Sequence, residues 1–173
     1  MINQLIICFV LLVLAIQDFR LRAVHWILFP ILLSLFIIDS LSHVDLKDYI
    51  SGIAINLLLV STQGVVLLVY YTVRGKKLKH ILTNTLGLGD ILFIIIMAFA
   101  FSWTSFLLFY IAGLIFALFF WMITIFITGN SHRLIPLAGL LAIFMIIVMI
   151  AEAFIPEINR NSNLLDTFYL YVN

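Results

Sequence analysis

LGLGDILFI, positions 86–94, sets one carboxylate and two glycines at the head of a run that is otherwise wholly apolar. The run continues to position 101 with no charged residue. A soluble protein is about half apolar and a quarter charged, whereas this chain of 173 residues is 65% hydrophobic and 10% charged, with a mean hydropathy of +1.28. Those values place it in a lipid bilayer. Apolar segments recur along the whole length, so residues 1–173 read as a single membrane-embedded domain with no globular module attached. The formal net charge of +1 offers nothing to a nucleic acid. A single cysteine, Cys8, excludes intrachain disulfides and CxxC metal sites. The first apolar segment has neither a basic leader nor a small-residue cleavage site, and reads as a retained helix.

Outward from position 86, runs of spanning character cover 2–16, 26–38, 49–73, 91–101, 106–127 and 134–150. The expectation is an all-α polytopic protein with six transmembrane helices. The first, second and fourth fall short of the ~20 residues that cross ~30 Å of hydrocarbon, so their polar ends are expected inside the bundle at membrane depth. Six spans put the connecting segments alternately on two sides. One side collects Arg20, Arg22, Arg74, Lys76, Lys77, Lys79 and Arg133, seven of the nine basic residues. By the positive-inside rule that side is cytoplasmic, with both termini outside a cell membrane. Acidic residues sort the other way: Asp39, Asp45, Asp48, Glu152, Glu157 and Asp166 lie outside, and only Asp18 and Asp90 do not.

Asp18 comes at the end of the first helix and Asp90 at the start of the fourth, both near the cytoplasmic boundary. An ionisable group at that depth is a functional candidate because its desolvation is costly. The plainer reading has Asp18 paired with Arg20 or Arg22 and Asp90 capping a helix. Gly87 and Gly89 favour chemistry, since glycine costs a helix roughly 1 kcal/mol against alanine but allows a close approach of another chain. Two neighbouring carboxyls can share one proton, leaving one as a base for water and the other as an acid for the leaving group.

GLGD at 87–90 resembles the GxGD motif of intramembrane aspartic proteases, and DFRLRAVHW from Asp18 resembles the first-aspartate motif of type IV prepilin peptidases, with Arg22 in its basic position and Val24 in its isoleucine position. HRLIPLAGLLA from His132, which contains Pro136, resembles the segment that opens that family's last helix. The three elements occur in the family's order and span nearly the whole chain. The resemblance implies a peptidase-only form, similar to the preflagellin peptidases, with catalytic Asp18 and Asp90, support from Gly87, Gly89, Arg22 and Pro136, and no metal or other cofactor. Its implied substrate is a pilin-like precursor docked in the lipid bilayer. The sequence departs from the pattern at His25 and Trp26, which replace Pro-Asn, and at Leu92, where a lysine is usual. The cysteine-rich extension of many bacterial members is absent.

Other polar residues have plainer roles. Asn56 and Gln63, seven apart on the third helix, share a face and are read as interhelical hydrogen-bonding groups that reach the acids only if that helix lines the cleft. Gly113 and Ala117 are packing residues. His25 and His132 are interfacial, the 74–80 run RGKKLKH fixes topology against anionic lipid, and Thr83, Asn84 and Thr85 are expected to line the mouth of the site. Two rival readings remain: a signal-peptide-peptidase or presenilin type, against which stand Gln17 before the first aspartate and Ile-Pro-Leu near the last helix, and a non-enzymatic transporter or assembly protein that binds an ion or proton on the two aspartates.

Overall fold

The computed structural model describes residues 2–74, 87–128, 135–155 and 160. These form six helices and, among the described residues, no strand: α1 (Ile2–Leu21), α2 (Leu28–Leu41), α3 (Leu46–Val73), α4 (Leu88–Met97), α5 (Trp103–Thr128) and α6 (Leu137–Phe154). The protein is an all-helical membrane protein. Helices α1, α3, α5 and α6 are long and apolar enough to cross a bilayer, and α2 and α4 are shorter.

The order of elements is as expected, but the boundaries of all six helices shift, three helices most tellingly. Helix α1 runs 20 residues and is a full-length span, because the polar triplet Gln17, Asp18 and Arg20 continues the helix where the hydropathy already falls. Helix α4 begins at Leu88 and ends at Met97, ten residues or about 15 Å, roughly half a hydrocarbon core. Helix α3 has 28 residues, about 42 Å, more than a bilayer needs.

Helix α1 packs most extensively on α6 and next on α2, while α6 also meets α4 and α5. Ile7, Leu11, Leu14, Phe36, Phe93, Met97, Leu141 and Met145 fill the interior with essentially no exposure. Large side chains such as Phe119, Phe126 and Val66 point outward instead, which suits a surface whose solvent is lipid. Gly113 admits the closest helix contact, since a β-carbon there would stand 2.7 Å from Leu141 Cδ2, and Ala117 is buried one turn on.

Because the helices alternate in direction, two ends result. The end of α1 and the starts of α4 and α6 meet at one, hereafter the acid end. At the far end, the short α4 stops inside the bundle with carbonyls that have no helical partner. Asn56 Nδ2 donates to Ala98 O at 2.9 Å and Phe101 O at 3.0 Å, and Tyr49 Oη donates to Phe99 O at 3.1 Å. In a medium without water those bonds are what permit the backbone to leave the helix at that depth. Asn56 is thus an interhelical hydrogen-bonding residue, tied to the far end of α4 and not to the acids.

Candidate active site

Helix α6 is entered through Pro136, its N-cap residue, whose φ is −75°. Its carbonyl accepts from the Leu140 N–H, yet proline has no side-chain oxygen to cap the free amides that follow. Those amides are met from two other helices. Asp90 Oδ1 accepts from the Ala138 N–H at 2.8 Å, and Asp18 Oδ2 accepts from the Gly139 N–H at 2.6 Å. Two consecutive amides, about 1.5 Å apart along the axis, therefore gather one carboxylate from α1 and one from α4. The positive end of the helix dipole favours anionic oxygens there.

Asp18 lies one turn before the end of α1, and is 8% exposed. Asp90 lies in the first turn of α4 and is half-buried. Neither has an ion pair: among the described residues every such pair belongs to Arg160. Neither Arg20 nor Arg22 comes within ion-pair distance of the Asp18 carboxylate. Arg22 is exposed, with φ 52° in the left-handed region and its N–H donating to Asp18 O at 3.1 Å, so its backbone ends α1.

The glycines do different work. Gly87 has an extended backbone that any residue adopts, but a β-carbon there would stand 2.9 Å from Asp90 Oδ2. It leaves room for the carboxylate. A β-carbon on Gly89 would meet Phe29 at 3.7 Å, an ordinary contact. Gly139, which the sequence reading passed over, is the tightest position around Asp18: a β-carbon would meet Asp18 Oδ2 at 3.0 Å and Phe19 Cε2 at 3.2 Å. A glycine three residues after a proline, at the head of an apolar run, is the signal that could have marked it. Gln17 was also passed over as a structural residue; its Oε1 accepts from the His25 N–H at 2.9 Å and braces the turn into α2.

Leu92, where the related pattern has a lysine, is 42% exposed. His132, Thr83, Asn84, Thr85 and positions 75–80 of the basic run lie outside the described residues; Arg74, at the head of that run, stacks on the Tyr70 ring at 4.8 Å. No group of three or more metal-binding side chains occurs among the described residues. Chemically, the arrangement offers two carboxyl groups from separate helices, fixed in orientation by backbone amides. Comparison of the chain with family models, with characterised proteins and with solved structures finds no match.

Proposed function

We propose that this protein is a membrane aspartic endopeptidase that removes the leader peptide of a type IV prepilin-like precursor at the cytoplasmic face of the cell membrane. The observation that carries the reading is the placement of Asp18 and Asp90 on the consecutive Ala138 and Gly139 amides, with no ion pair to either among the described residues. One carboxylate takes a proton from water as the water oxygen attacks the scissile carbonyl carbon. The other carboxyl delivers a proton to the departing amide nitrogen as the C–N bond breaks. The substrate class rests on the three sequence motifs, whose aspartates and Pro136 are the residues that meet at the acid end. A basic leader followed by a hydrophobic helix would place its junction at that level.

Co-expression with prepilin-like precursors of the same genome, followed by N-terminal sequencing of the products, tests the activity; precursors left intact by a folded, membrane-inserted protein overturn it. Orientation is tested by labelling Ala23→Cys and Lys47→Cys in a Cys8→Ser background with a membrane-impermeant thiol reagent. Intact cells should label position 47 and spare position 23.

A further inference from the structure

The inner face of α3 is marked by its three buried residues, Tyr49, Gly52 and Asn56. Gln63 lies on that same face, seven residues and therefore nearly two whole turns beyond Asn56. The face is covered at Asn56, which is fully buried, and uncovered at Gln63, which like every residue from Ser61 to Tyr70 is exposed. Helix α3 is thus seated on the bundle by its first half, and residues 61–70 of its second half stand exposed.

The level of Gln63 follows from the helix rise. Asn56 bonds the carbonyl of Ala98; Gln63 is seven residues from Asn56, about 10 Å, and Asp90 is eight residues from Ala98 in the same direction, about 12 Å. Gln63 and Asp90 stand at one depth. The neighbouring hydroxyls are satisfied on α3 itself, Ser61 Oγ by Leu57 O at 2.7 Å and Thr62 Oγ1 by Leu59 O at 2.8 Å. The Gln63 amide has no hydrogen-bond partner among the described residues. An unpaired amide is expensive in hydrocarbon, and one exposed at the level of an acid pair is matched to a ligand that carries its own amides.

We infer that Gln63 is a substrate-binding residue: its side-chain amide hydrogen-bonds the extended backbone of the precursor where the peptide enters between α3 and α4 to reach Asp90. This rests on the peptidase reading. An amide gives one donor and one acceptor to a peptide group regardless of sequence, so it grips the leader junction without selecting its side chains.

The test measures leader removal in proteoliposomes first by the wild type, then by Gln63→Met, Gln63→Asn and Leu58→Met, with Leu58 on the opposite face of α3 as control. Gln63→Met keeps length and loses both hydrogen bonds; it should raise KM about five- to tenfold, and more than it lowers kcat. Gln63→Asn should recover part of that loss, and Leu58→Met should match the wild type. In parallel, benzoylphenylalanine at position 63 of the non-cleaving Asp18→Asn protein should cross-link to the precursor, and at position 58 should not. An unchanged KM in Gln63→Met, equal cross-linking from both positions, or cross-linking only to a second copy of the chain overturns the inference while wild-type cleavage leaves the peptidase reading standing. A wild type that cleaves nothing overturns both.

Discussion

The two ends of the bundle hold carboxylates in opposite ways. At the far end, Asp39 from α2 bonds the Arg160 guanidinium, which also lies 3.4 Å from Glu152 of α6, and Asn3 of α1 donates to Asp39 Oδ1 at 3.1 Å. Asp39 and Glu152 share that one fixed cation, and Arg160 and Asp39 are buried. At the acid end, Asp18 and Asp90 hold only backbone amides. A carboxylate locked to an arginine is a structural fastener, since giving up its charge would strand a buried cation. One that leans on a helix terminus is oriented without a fixed cation to strand. Burial of an acid in this chain therefore does not by itself mark chemistry; the partner does.

The comparison breaks outright if either aspartate of the acid end proves dispensable. Asp18→Asn and Asp90→Asn should each lower leader removal by on the order of a thousandfold or more, with the double variant no slower, because groups that act as a unit are not additive. Thermal unfolding of each should stay close to the wild type. A folded Asp18→Asn protein that processes precursor at the wild-type rate ends the paired-acid reading.

The converse holds for the far end. Arg160→Met strands Asp39 without its guanidinium and should cost about 3 kcal/mol or more, seen as a lower unfolding temperature in detergent. Cleavage per folded molecule should persist. Loss of activity without loss of stability would erase the distinction between the ends.

The glycines sharpen it further. Gly87→Ala should push the Asp90 carboxylate off its seat and slow cleavage about tenfold, roughly the worth of one hydrogen bond to a charged group, whereas Gly89→Ala should differ little from the wild type. Equal effects at the two positions would mean that the motif serves the backbone and not the acid. The smallest change is expected at Arg22, whose left-handed φ suits glycine. Arg22→Gly should raise stability by up to about 1 kcal/mol, readable as a modest upward shift in unfolding temperature.

Much of this was open to a reader of the sequence. Hydropathy runs located six helices, and two aspartates on the basic side stood out because every other acid lay opposite. The far-end fastener was not legible, since Asp39 and Arg160 are 121 residues apart and each reads as an ordinary loop charge at the edge of a span. The end of α4 was equally hidden. No glycine or proline stops it at Met97; the stop is held by Asn56 and Tyr49 from another helix, a tertiary effect that local pattern cannot carry. Gly89 and Gly139 make the same point, because what separates them is the distance from a β-carbon to a side chain elsewhere in the fold.

The amides that gather the two aspartates belong to the last of the six helices. During synthesis α1 and α4 enter the membrane before Ala138 and Gly139 exist as peptide bonds, so a partly made chain has both acids but nothing to align them. The two acids are aligned only when α6 has joined α1 and α4.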